Sequence, residues 1–249
     1  INKKKKILKI IKIKKKLNTT APYKLLKTMR AGVLVLGPLL AKFKKAKVSL
    51  PGGCAIGTRP VDIHLFALKK LGAQIKIKNG YIYAVAKDGL KGNTIKFPSI
   101  SVGATENAII AAVNAKGKTT LSNCALEPEI KDLIIFLKKL GCDISSNKRK
   151  IVINGQKNFK QVSHEIMFDR IELGTYLIAS GLMGKKITFL RVQPKIIKTE
   201  LRILKKMGIK LIQKRNSITV LKSEEIKTIN IKTEPYPGFP TDLQAQIMV

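Results

Sequence analysis

The 249-residue sequence contains no tryptophan, five tyrosines and eight phenylalanines. So few aromatics exclude the run of stacking platforms on which single-stranded nucleic acids are held. Histidine is scarcer still: His64 and His164 lie a hundred residues apart, and no metal-binding spacing exists among His and Cys. The three cysteines, Cys54, Cys124 and Cys142, are odd in number and irregularly spaced. That excludes a disulfide framework and suits reduced thiols in a cytoplasm. Long apolar runs are also missing. The stretch Ala31 to Ala41 is 11 residues long and contains Gly37 and Pro38, against the roughly 20 residues needed to span a bilayer. No membrane insertion is expected, and the Lys-rich opening lacks the pattern of a secretory signal.

Acid is the last scarcity. Fifteen Asp and Glu face 49 Lys and Arg, for a net charge of +34. A polyanion partner is one reading of such a balance. The kind of charge opposes it, because seven of the 49 are Arg, whereas base-edge and bidentate phosphate readers favour Arg. The lysines are spread along the whole chain, and the nine among the first 16 residues alternate with Ile and Leu as on the wet face of a strand. The excess reads as compositional drift toward Lys, Ile and Asn, and no nucleic-acid partner is expected.

What the sequence does have is a repeat. Leu68-Lys69-Lys70-Leu71-Gly72 recurs as Leu137-Lys138-Lys139-Leu140-Gly141 and as Leu204-Lys205-Lys206-Met207-Gly208, at separations of 69 and 67 residues. Each copy closes an amphipathic segment opened by a proline: Pro60, Pro128 and Pro194. Proline suits a first helical turn, and glycine suits the left-handed residue just past a helix. After each glycine come two alternating strands. Gln74 to Ala86 folds about Asn79-Gly80, a strong hairpin pair, whereas Cys142 to Asn154 and Ile209 to Leu221 show looser turns.

A second helix in each unit is rich in small residues: Met29–Leu36, Ala104–Ala115, Ile171–Met183, and a start at Thr241–Met248. Short strands follow the first three, at Lys47–Leu50, Thr119–Ser122 and Ile187–Leu190. The fold class is α/β, built from repeated units in the order strand, helix, strand, helix, strand, strand, with small-residue helices inside and sheets around them. In the same register, Asn2 to Ile13 looks like the turn and final strand of an earlier unit, and Val249 stands inside a new helix. The 249 residues are therefore expected to be part of a longer run of units.

Chemistry concentrates in the connection Pro51-Gly52-Gly53-Cys54-Ala55-Ile56-Gly57-Thr58-Arg59-Pro60-Val61-Asp62. Its glycines allow backbone to approach a ligand closely. Arg59 and nearby lysines are positioned to lower the pKa of the Cys54 thiol. Cys124 and Cys142, in strand-like contexts without glycines, read as packing residues, and His64 as a local hydrogen-bond partner. Further polar clusters open helices: Arg30, Ser101-Val102-Gly103-Ala104-Thr105, Glu127-Pro128-Glu129, Asp169-Arg170-Ile171-Glu172 and Phe239-Pro240-Thr241-Asp242. They suit capping and anion binding equally well.

Together these segments, with Leu243-Gln244-Ala245-Gln246, resemble the enolpyruvyl transferase family of EPSP synthase, and within it the UDP-N-acetylglucosamine 1-carboxyvinyltransferases, from about Ala21 to Val249. The Pro-Gly-Gly-Cys loop followed by Arg-Pro-Val-Asp is the specific part. The resemblance implies a two-domain inside-out α/β barrel of βαβαββ units, with the site in the cleft between domains. The first domain would cover residues 1–167, without its opening part, and the start of the second would cover 168–249. It implies transfer of the enolpyruvyl group of phosphoenolpyruvate to the 3′-hydroxyl of UDP-N-acetylglucosamine in peptidoglycan synthesis, with release of phosphate and with no metal or organic cofactor.

By the same resemblance, Cys54 is the acid at the methylene carbon and can form a covalent adduct, while Asp242 takes the sugar hydroxyl proton. Arg30 and Arg59 hold substrate anions. Pro60, Val61, Asp62 and Ile63 line the nucleotide side, Asp62 facing uracil. Ser101, Val102 and Gly103 face the diphosphate, and Asp169 and Glu172 lie at the cleft. Ser99 stands where the family pattern has a lysine. The resemblance also implies further site residues that have no counterpart among these 249, which by themselves are expected to be inactive, to expose apolar surface and to be poorly soluble. Three other readings compete: a catalytically dead relative, a nucleic-acid binder, and a sibling transferase using another acceptor.

Overall fold

The structure, a computed structural model, describes residues 7–10, 17–51 and 61–249. The first unit consists of β1 (Thr20–Ala21), α1 (Tyr23–Leu26), a 3-10 turn Arg30–Val35 running into α2 (Leu36–Phe43), β2 (Lys45–Ser49), α3 (Asp62–Lys70), β3 (Gln74–Lys78) and β4 (Tyr81–Val85). The second repeats it with β5 (Thr94–Lys96), α4 (Val102–Ala112), β6 (Lys118–Ser122), α5 (Pro128–Lys139), β7 (Asp143–Asn147) and β8 (Lys150–Asn154). The third contains α6 (Arg170–Met183), β9 (Ile187–Leu190), a 3-10 turn Pro194–Ile197, α7 (Lys198–Lys206), β10 (Leu211–Lys214) and β11 (Ser217–Val220). A 3-10 turn Thr241–Leu243 and α8 (Gln244–Ile247) follow.

The first two sheets have the same order, β1-β2-β4-β3 and β5-β6-β8-β7, each with one parallel pair beside an antiparallel hairpin. The third is β10-β11-β9 and fully antiparallel. The α/β repeat is thus realised as three separate sheets, and the strand expected over residues 2–13 falls mostly outside the described residues.

The repeated glycines act as read. Gly72, Gly141 and Gly208 leave their helices with φ of 96°, 96° and 91°, a region that residues with a Cβ enter at a cost. All three hairpins close through two residues, as the registers Lys78↔Tyr81, Asn147↔Lys150 and Lys214↔Ser217 require. The second and third turns are therefore as tight as the first, though no Asn-Gly pair marks them; Lys148 takes the left-handed conformation itself, at φ 48°.

Helices occupy the middle. α4 packs against α2, α3 and α5 and buries Ala104, Thr105, Asn107, Ala108, Ile109, Ala111 and Ala112. Around it one core joins the first two units, including Leu36, Leu40, Val48, Leu68, Ile82 and Phe97. A second core, with Leu177, Ile197, Leu201, Leu204 and Ile218, belongs to the third unit. The small-residue helix expected over Met29–Leu36 extends further. A 3-10 turn comes first and the α-helix starts at Leu36, so Pro38 falls in its first turn, where a missing N–H costs nothing. Likewise Pro194 opens a 3-10 turn before α7, rather than the helix itself.

Alanine scanning of the cap glycines separates backbone strain from crowding. A Cβ at Gly72 meets nothing within 4 Å, whereas at Gly208 it would lie 2.6 Å from the Glu225 carbonyl oxygen. Gly72→Ala is expected to cost about 1 kcal/mol. Gly208→Ala should cost about 2–4 kcal/mol, because strain and overpacking add. Urea unfolding midpoints measure the difference.

Candidate active site

The residues singled out from the sequence gather at the heads of helices. Cys54, Arg59 and Pro60 lie outside the described residues. Arg30 opens its 3-10 turn. Val61 precedes α3 and is half-buried, Asp62 begins the helix exposed, and Ile63 packs against the core. An acid in the first turn complements the positive end of the helix dipole.

Ser101 caps α4: its Oγ accepts from the Ala104 N–H at 3.3 Å, and its carbonyl accepts from Thr105 Oγ1 at 2.7 Å. Val102 and Gly103 then form the first turn, where backbone N–H groups have no partner within a helix. The α3 and α4 heads touch, since a Cβ on Gly103 would lie 3.0 Å from His64 Cε1. Burial holds His64 down at about 4, with Asp62 opposing the shift, so its imidazole is neutral at physiological pH.

A second group collects on α6. Asp169 caps it, Oδ1 accepting from the N–H of Ile171 at 2.8 Å and of Glu172 at 3.0 Å. Glu172 is exposed in the first turn. Asp242, also exposed, sits in the turn whose Leu243 seats on Gly174. Gln246 Nε2 donates to Thr175 Oγ1 at 3.0 Å, fixing α8 to the same helix.

Arg170, at the start of α6, ties that helix to the α5 head and to α7. It is 7% exposed; its Nε donates to Glu129 Oε1 at 2.9 Å, and a terminal nitrogen lies 3.8 Å from Glu200 Oε1. Its guanidinium stands 5.8 Å from the centre of the Tyr236 ring, and the Tyr236 N–H reaches Glu127 Oε1 at 3.4 Å. Carboxylates outnumber this cation. Burial, with Glu129 and Glu127 nearby, pushes Glu106 up, and burial pushes Glu200 up against the opposing pull of Arg170. Glu127 Oε2, Glu129 Oε2 and Glu200 Oε1 are buried with no hydrogen-bond partner among the described residues.

Glu106 and Glu200 escaped the sequence reading, because each looks like an ordinary polar position of an amphipathic helix. Cys124 and Cys142 are buried, and burial pushes the Cys124 thiol up to about 12, in keeping with packing roles. Among the described residues no group of three His, Cys, Asp or Glu is arranged to hold a metal ion, and no helix is long and apolar enough to cross a membrane.

Arg170→Met leaves two carboxylates facing each other without their cation and should cost about 3 kcal/mol at neutral pH. Glu200 has a folded pKa raised above its unfolded value, so the folded state binds more protons in between. Stability is therefore expected to fall as pH rises from the ordinary carboxylate range through the raised value, and Glu200→Gln should flatten that slope. Urea titrations at a series of pH values measure both effects.

The sequence matches the family described as EPSP synthase (3-phosphoshikimate 1-carboxyvinyltransferase) over residues 1–249. A relative from Pelagibacter ubique (strain HTCC1062), named UDP-N-acetylglucosamine 1-carboxyvinyltransferase, is 63% identical over 96% of this chain and 58% of its own length. A relative of the same name from Gluconobacter oxydans (strain 621H) is 48% identical over 92% of this chain and 55% of its own. The chain thus spans a little over half the length of these curated relatives. Among solved structures, the enolpyruvyl transferase NikO from Streptomyces tendae superposes with a TM-score of 0.77 at 21% identity, covering 92% of this chain and 55% of its own. An EPSP synthase from Acinetobacter baumannii gives 0.61 at 19% identity, over 81% and 48%. With the repeated unit, the inner helices and the match along its whole length in agreement, the chain belongs to the EPSP synthase (3-phosphoshikimate 1-carboxyvinyltransferase) family.

Proposed function

We propose that the protein transfers the enolpyruvyl group of phosphoenolpyruvate to the 3′-hydroxyl of UDP-N-acetylglucosamine and releases phosphate, as a cytoplasmic step of peptidoglycan synthesis. The observation that carries this reading is the 63% identity, over 96% of the chain, to a relative named for that activity. The intact Arg59-Pro60-Val61-Asp62 segment supports UDP-N-acetylglucosamine as acceptor over another alcohol.

The chemistry assigns the roles. C2 of phosphoenolpyruvate becomes electrophilic when C3 is protonated, and Cys54 supplies that proton. The sugar oxygen then attacks C2 while Asp242 takes the hydroxyl proton, giving a tetrahedral adduct that still carries phosphate. Loss of a C3 proton expels the phosphate and restores the double bond. Cationic neighbours favour the thiolate that Cys54 leaves behind, and a covalent adduct at Cys54 is the alternative fate of the same carbon. Four anionic groups enter the site in the two substrates, and planar guanidinium groups suit them; Arg30 and Arg59 take this part.

Val61, Asp62 and Ile63 line the nucleotide, and Ser101, Val102 and Gly103 offer hydroxyl and backbone N–H groups to the diphosphate. Ser99 withholds the cation that the family pattern places there. Asp169 and Glu172 border the cleft between a first domain ending near residue 167 and a second beginning at 168, a division consistent with the two separate cores. No cofactor is required by this scheme.

The test is phosphate release by the full-length gene product carrying these residues, with both substrates together and each alone. Release is expected only with both. Cys54→Ala and Asp242→Asn should each lower it by about 10²–10⁴-fold, the range for a positioned acid or base. Release from phosphoenolpyruvate alone, or full activity in both variants, would overturn the assignment.

A further inference from the structure

A fully buried asparagine lies in the middle of α4, among Ala104, Ala108 and Ile109. Its Oδ1 accepts from the Gly37 N–H at 2.8 Å. A backbone N–H only donates, so this bond fixes which way the amide of Asn107 points. Nδ2 then has two hydrogens to place. One goes to the Val33 carbonyl at 3.2 Å and the other to His64 Nδ1, also at 3.2 Å. His64 Nδ1 is therefore an acceptor, and the neutral ring carries its proton on Nε2.

Two glycines make room for the arrangement. A Cβ on Gly37 would lie 2.2 Å from Asn107 Oδ1, and one on Gly103 would lie 3.0 Å from His64 Cε1. Three segments meet on this amide: the turn opened by Arg30 through Val33, α2 through Gly37, and the α3 head through His64, whose ring also packs on Gly103 at the α4 head.

We propose that Asn107 is a positioning residue that, through His64 Nδ1, sets the α3 head and the Arg30 turn against the α4 head and so shapes the seat of the nucleotide diphosphate. This rests on the transferase reading for the identity of the ligand. The physical argument is one of alternatives. A buried amide and imidazole of this kind are replaceable by apolar groups at little cost in stability when both partners go together. Apolar contact, however, leaves the sliding of one helix on another loosely set, whereas three directional bonds on one amide permit a single placement. A shift of the α3 head along α4 would move Asp62 and Ile63 relative to Gly103 without unfolding anything.

The experiment uses the full-length gene product and two readouts that do not require turnover: ¹⁵N shifts of the His64 ring and calorimetric affinity for UDP-N-acetylglucosamine. The unsubstituted protein is expected to show a proton on Nε2 and none on Nδ1. His64→Leu removes the acceptor and should weaken affinity about tenfold, from the cost of a buried donor left unpaired. His64→Asn places an amide oxygen near the position of Nδ1 and should hold affinity within about twofold of the unsubstituted protein. Asn107→Asp, a second variant should His64→Leu fail to fold, is expected to move the ring proton to Nδ1 and to weaken affinity.

A proton on Nδ1 in the unsubstituted protein would overturn the proposal. So would His64→Asn weakening affinity as much as His64→Leu, or all three variants binding normally. Affinity without phosphate release in the unsubstituted protein would sink the transferase reading and leave the positioning role intact; no affinity at all would sink both.

Discussion

Everything in the first two units depends on how closely other helices approach α4. Its buried face is built from Ala104, Ala108, Ala111 and Ala112, with Thr105 and Asn107 between them. Residues of this size let α2, α3 and α5 lie against it while the sheets stay outside. Larger side chains would push those helices apart, and interiors packed to crystal density have no slack to absorb the movement. Close approach also makes the polar groups of α4 consequential. An asparagine at such a crossing reaches the backbone of one neighbour and the side chain of another with the same amide.

The same geometry explains why the candidate residues assemble although they are far apart in the chain. Helices that share one inner partner present their heads near each other, so short segments after β1, β2 and β5 converge. On the α6 side an ion cluster does the corresponding job. Arg170 draws the α5 head, α7 and the segment around Tyr236 to one point. Burial, with like charges nearby, raises Glu200 and Glu106, so this cluster takes up protons more readily than exposed carboxylates do.

Much of this was legible beforehand. The three Leu-Lys-Lys-Leu/Met-Gly copies located the helix ends because a left-handed cap excludes most residues, and Gly72, Gly141 and Gly208 all adopt it. The small-residue pattern marked the inner helices, and Ser101 and Asp169 capped as their residue types suggest. The gaps also have physical causes. The helix read over Met29–Leu36 begins as a 3-10 turn and runs on to Phe43, because a residue pattern does not reveal that the α-helix starts only at Leu36. The hairpin turns at 148–149 and 215–216 looked loose because register, rather than glycine, tightens them. Asn107 and Glu200 were invisible for a different reason: the partners of Asn107 lie 43 to 74 residues away and Arg170 lies 30 from Glu200, and local pattern carries no information about such pairs.

The two four-stranded sheets mix two kinds of closure. Each hairpin joins its strands across two residues, but β1 and β2, like β5 and β6, pair in parallel and must bridge a whole helix-containing crossover. Short loops close in microseconds, whereas distant pairings wait until other contacts offset the entropy of the longer loop. The intervening segment contains α2 in one unit and α4 in the other, so the parallel strand finds its place only once the inner helix is docked. In each unit the hairpin is the early event, and the outer parallel strand is the last and most diagnostic sign that the interior has formed.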